Sequence, residues 1–150
     1  MQNRSRGLAG LVVGLALLST ATTAQESGSA SGKVTAPDST SIADMSSVSG
    51  TISGLYRHLW LVARVGDLNW PLAQAKAADG KWTSARAVVV LGLPEKTSYE
   101  LSLLDVPLAA HEIIADWMEN SDRAGRYLPM LSRNMGPDVR VVASSAYQTE

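Results

Sequence analysis

The stretch His58-Leu-Trp-Leu-Val-Ala-Arg-Val65 decides how this chain is read. Alternation puts Leu59, Leu61, Ala63 and Val65 on one side of an extended segment, and Trp60 and Val62 on the other. A strand that is apolar on both sides needs cover on both, which makes it a central strand. Upstream, Val48, Gly50, Ile52 and Gly54 alternate with Ser49, Thr51 and Ser53, the pattern of a strand with a polar outer face. Downstream, Gly66-Asp67 punctuates the chain. Trp70-Pro71 reads as a loop into Gln74-Ala-Lys-Ala77, and Asp79-Gly80 before Lys81-Trp82 is a hairpin turn.

Beyond that turn a strand runs from Trp82 to Leu91 and is ended by Gly92 and Pro94. Tyr99 to Val106 is another, with Tyr99, Leu101 and Leu103 facing one way. The period then changes: Ala110, Ile113, Ile114, Trp117 and Met118 recur at helical spacing opposite His111, Glu112, Asp116 and Glu119. Pro107 stands at the start of this helix, read as Leu108 to Asn120, and Gly125 lies beyond its end. Arg126 to Pro137 reads as loop and Val139 to Ser144 as a closing strand. Short strands with one helix near the C-terminal end predict a mainly β chain, an antiparallel β-sandwich with one inserted α-helix.

The first 24 residues have the three parts of a secretory signal: Arg4 and Arg6, an apolar run from Gly7 to Leu18, and Thr22-Thr23-Ala24 as a small-residue cleavage site. Export, with cleavage after Ala24, is therefore expected, to the periplasm or the exterior. The run is shorter than the roughly 20 residues a spanning helix needs, so no stable membrane insertion is expected after cleavage. Residues 25–46 are rich in Ser, Thr and Gly and read as a flexible linker, with a short strand possible at Lys33-Val34-Thr35. Order is expected near Val48, in a domain over 47–150. The formal charge is −1 over the whole chain, and cleavage removes two arginines with no acid, giving −3. No basic field recruits nucleic acid. Cysteine is absent, so disulfides, thiolate metal sites and Cys nucleophiles are excluded.

The order Val48-Ser-Gly-Thr-Ile, Leu59-Trp-Leu-Val-Ala-Arg-Val, Trp70-Pro71, Gly80-Lys-Trp82, Val90-Leu-Gly92, Tyr99-Glu-Leu-Ser-Leu-Leu and Ile113-Ile-Ala-Asp-Trp117 resembles a group of small bacterial immunoglobulin-like β-sandwich modules. The match covers roughly residues 46–143 and departs at Pro71-Leu72, where the pattern carries Gln after Pro. The resemblance implies an immunoglobulin-like sandwich acting as an accessory or binding domain, with no catalytic constellation.

The residues themselves favour binding over chemistry. His58 and His111 are the only histidines, and Ala115 stands where a zincin helix needs its second His, so no metal site is expected. No Gly-x-Ser-x-Gly elbow presents a nucleophile to His58. Gly50-Thr-Ile-Ser-Gly54 lacks the Lys of a phosphate loop, and no calcium loop is present. Asp67, Asp79, Glu95 and Asp105 lie at strand ends, where turn chemistry explains them as well as a convergent acid pair does. Trp60, Trp82 and Trp117 fall in regular elements and read as core. Trp70, with Arg64, Asp67 and Arg57 near it in sequence, either stacks on a sugar or partner or folds back to plug the end of the sandwich. The 123–137 segment, with Arg123, Arg126, Tyr127 and Arg133, is either a binding rim or a solvated connection. The expected ligand-binding set is Trp70, Arg64, Asp67, Arg57 and Tyr127, with no cofactor. The expected partner is an envelope glycan or protein, with strand addition at a sheet edge as the alternative and a secreted hydrolase as the third.

Overall fold

The computed structural model describes residues 28–36, 47–84, 94–126 and 128–149. Eight strands form one antiparallel sheet: β1 (Ser31–Ala36), β2 (Ser49–Ser53), β3 (His58–Val65), β4 (Leu68–Ala78), β5 (Lys81–Ser84), β6 (Ser98–Val106), β7 (Met130–Leu131) and β8 (Arg140–Gln148). Their order is β1-β2-β5-β4-β3-β6-β8, with β7 paired to β4. The sheet curls until its two edge strands, β1 and β8, pack on each other, so it is nearly closed into a barrel. Among the described residues one α-helix, α1 (Leu108–Ala124), follows β6.

β3 is central, between β4 and β6, as its two apolar sides require. Leu59, Leu61 and Ala63 point into the barrel with Trp70, Trp82, Tyr99, Leu101 and Leu103. Trp60 and Val62 point outward and form a second core with Leu104, Val106, Met130, Met135 and the helix residues Ala110 and Ile114. Helix α1 covers this outer apolar stripe. It ends where Gly125 adopts φ 65 and its N–H, with that of Arg126, closes the last turn onto Asp122 and Ser121. The Asp79-Gly80 hairpin has both residues at positive φ, as a two-residue turn matched to strand twist demands.

Three bulges bend the sheet, each leaving one residue over in the register: Thr35 on β1, Leu72 on β4 and Val142 on β8. The middle one corrects the reading of Trp70-Pro71 as a loop. β4 runs straight through that dipeptide, because Pro71 sits beside the bulge, where a missing N–H is tolerated. The bulge also changes parity, so Trp70 and Ala73 both face the interior although three positions apart.

Other expectations are revised. Ser31–Ala36 lies within the stretch read as linker, yet it pairs with β2 over its length and extends the possible strand at Lys33-Val34-Thr35. The expected mainly β chain with a helix after β6 is found, and its strands pair in one sheet nearly closed into a barrel, a pairing that does not by itself establish the two layers of an immunoglobulin-like sandwich. Within the 126–137 segment, Met130–Leu131 pairs with β4, and a 3-10 turn, Ser132–Met135, buries Met135 beneath the helix. The helix runs one turn beyond Asn120, and β8 continues past Ser144. The leader, most of the linker, and Ala85 to Leu91 of the strand expected over Trp82 to Leu91 lie outside the described residues. Among the described residues no helix is long and apolar enough to cross a membrane.

Candidate functional site

The residues expected to bind ligand are not brought together. Trp70 is 5% exposed and packs in the barrel core, which removes it from any stacking surface. Arg64 lies toward the far end of β3, paired across the ladder with Asn69 and Glu100, and borders an open cleft of about 390 Å³ with Tyr99 and Ala146. Asp67 occupies the exposed β3–β4 turn, where its backbone carbonyl accepts bonds from the Asn69 amide and from the Ser132 N–H and hydroxyl. Its role is to tie β7 and the 3-10 turn to the barrel end. Arg57 precedes the other end of β3, roughly 20 Å away at 3.3 Å per residue. Tyr127 lies outside the described residues.

Arg57 has a structural partner. Its guanidinium holds the buried Asp105 carboxylate at 2.9 Å and reaches the Asp138 carbonyl at 2.9 Å, while its backbone N–H donates to the same carboxylate at 2.7 Å. This clamp joins the entry to β3, the end of β6 and the turn before β8. It also answers the convergent-acid reading. Asp105 shares the inward parity of Leu101 and Leu103, whereas His58 has the outward parity of Trp60. Asp67 and Asp79 sit in the turns at opposite ends of the long strand β4. Among the described residues no group of three or more His, Asp or Glu is placed to hold a metal ion.

The two histidines make a contact that spacing did not announce. Their rings stack at 4.3 Å with a 13° interplanar angle, and His111 Nδ1 accepts the Trp60 indole N–H at 3.1 Å. A buried indole N–H needs an acceptor, and the first turn of α1 supplies it. The signal in the sequence was the outward parity of Trp60 beneath a helix that carries His111 near its start. This cluster pins the helix to the sheet.

In the barrel interior, Tyr99 lies across the β6–β8 ladder from Tyr147, ring centroids 6.0 Å apart. Burial, with the Tyr147 phenol adding to it, pushes the Tyr99 hydroxyl above its ordinary value.

The remaining feature is the outer face of β1, β2, β5 and β4. There an open groove of about 530 Å³ is lined by Thr35, Ser49, Thr51, Lys76, Lys81 and Thr83, with Ala77 and Ala78 beside them. The register aligns these side chains in two rows. Lys33, Thr51 and Lys81 follow one another across β1, β2 and β5, and Ser49, Thr83 and Lys76 across β2, β5 and β4. Beneath this face the Trp82 indole passes under Gly50 to donate to the Lys33 carbonyl at 3.2 Å. A Cβ at Gly50 would collide with that carbonyl and the indole, so the floor of the groove is fixed by one absent side chain. The polar period from Ser49 to Ser53 signalled an outer face. What period alone lacked was the strand order that sets Lys33, Lys76 and Lys81 side by side. No family model matches this chain, and no curated protein or solved structure matches it.

Proposed function

We propose that this chain is an exported, non-enzymatic binding or accessory module that holds an envelope glycan along the outer groove of β1, β2, β5 and β4. The observation that carries the reading is the groove: a concave, solvent-open surface where Ser and Thr hydroxyls and two lysine amines stand around Gly50, Ala77, Ala78 and Trp82, on strands joined edge to edge by antiparallel ladders. Hydroxyl and ammonium groups on a rigid sheet exchange hydrogen bonds with sugar hydroxyls without ordering a loop, which keeps the entropic cost of binding low. The three-part leader at residues 1–24 and the resemblance of residues 46–143 to accessory modules support the same reading. The strand-end surface around Trp70 drops out, because its aromatic anchor is buried.

Strand addition has less support, since the two edge strands, β1 and β8, lie against each other and leave little room for a third. Hydrolysis has less again, as the candidate acids Asp67, Asp79, Glu95 and Asp105 are dispersed among turns and the Arg57 clamp. The test is co-sedimentation of the exported protein with insoluble envelope polysaccharide. Wild type is expected in the pellet and a Thr51→Glu, Thr83→Glu variant in the supernatant. A variant that still pellets while remaining folded by circular dichroism would place the ligand elsewhere.

A further inference from the structure

The same groove indicates the class of glycan. Three cations face it or border it, Lys33, Lys76 and Lys81, and no Asp or Glu is among its lining residues. None of the three is in an ion pair with another described residue, unlike Arg57 and Arg123, whose carboxylates lie at 2.9 and 2.6 Å. A chain of formal charge −1 thus gathers, on one four-strand face, three ammonium groups with no carboxylate partner among the described residues.

Resting on the reading above, we infer that the groove takes a linear acidic polysaccharide bearing carboxylates. Lys33 and Lys81 stand two strands apart in one row, roughly 10 Å between backbones at 4.8 Å per strand, with the Thr51 hydroxyl between them. A polymer crossing the strands in that row meets cation, hydroxyl, cation, which suits alternating charged and neutral sugar units. The second row supplies two hydroxyls, Ser49 and Thr83, and then Lys76.

Other polyanions fit less well. Trp82 is buried and no other aromatic side chain lines the groove, so nucleic acid bases find nothing to stack on. The groove also lacks a large exposed aliphatic side chain to enter a lipid interface.

The deciding experiment is calorimetric titration of the exported protein with polygalacturonate, a neutral glucan of similar length, and vesicles containing phosphatidylglycerol, each at low and high salt. Polygalacturonate is expected to bind, with affinity falling as salt rises. Each of Lys33→Gln, Lys76→Gln and Lys81→Gln should weaken it about fivefold, the upper range for one exposed ion pair. The triple variant should abolish binding, and Thr83→Lys should strengthen it. Equal binding of the neutral glucan, unaffected by the lysine changes, overturns the acidic preference and leaves the glycan reading standing. Binding to vesicles alone overturns it in favour of a membrane surface. No binding to any of the three, by protein that still sediments with envelope polysaccharide, also overturns it. Loss of that sedimentation as well takes the glycan reading with it.

Discussion

The bond from Trp60 to His111 shows how one residue joins two layers. Trp60 is 5% exposed, and its indole N–H has His111 as its acceptor. Replacing His111 with Leu leaves that donor buried without a partner, which costs about 2 kcal/mol. Urea denaturation should register this as a lower midpoint, and His111→Gln, whose side-chain oxygen is able to accept, should recover part of it. An unchanged midpoint in His111→Leu would mean the bond carries nothing. Tyr99 makes a second prediction at this scale. Its hydroxyl is held above the ordinary phenol range, so the folded chain keeps a proton that the unfolded chain gives up first. The associated stability is complete below about pH 10 and is lost as pH rises through the raised folded value. Denaturation between about pH 9 and pH 11 should therefore show a falling midpoint, and Tyr99→Phe should flatten that slope.

At the level of elements, strands with clean alternation were legible, and β4, interrupted by Pro71 beside a bulge, was not. His58 to Val65 predicted a central strand because both its faces are apolar, and the ladder places it between β4 and β6. The helix was legible from period and from Gly125, whose positive φ ends it. Trp70-Pro71 misled because Pro argues against a strand unless a bulge stands beside it, and a bulge has no local signature here beyond a break in parity. That break makes a prediction. Leu72 is the residue the register leaves over, so deleting it restores strict alternation through β4 with Trp70 and the row Ala73, Ala75 and Ala77 all still facing inward. The deletion should therefore leave Trp70 buried and its emission unchanged. Leu72→Ala, which keeps the bulge and loses only a partly buried side chain, should match it. A red-shifted emission in the deletion alone would mean that the bulge, and not the alternation on either side of it, sets which way Trp70 faces. The candidate site failed in the reading for a related reason: Arg57 and Arg64 are neighbours in sequence but lie at the two ends of one strand, whereas Lys33 and Lys81 are distant in sequence and two strands apart.

For the molecule as a whole, the question is what closes the barrel. β1 comes from residues whose composition reads as a spacer, since Ser, Gly, Lys and Thr carry little apolar signal, yet it contributes Val34 to the interior and meets β8. The Trp82 indole crosses beneath β2 to bond the Lys33 carbonyl, so the core reaches into β1 through a polar contact that hydrophobic periodicity does not register. If this strand completes the barrel, a chain starting at residue 47 loses the β1–β2 ladder, the cover over Trp82 and one wall of the groove. The cost should be on the order of 3 to 5 kcal/mol, from several ladder bonds and one half-buried Val. Compared with residues 25–150, the shorter chain is expected to unfold at a clearly lower urea concentration and to show a red-shifted Trp emission. Gly32→Val tests the same point without truncation. Its Cβ would run into the Thr51 carbonyl, so it should loosen β1 while leaving every other strand intact. Were residues 25–46 only a tether, both chains and the variant would unfold together, and Lys33 would have no fixed place beside Thr51 and Lys81.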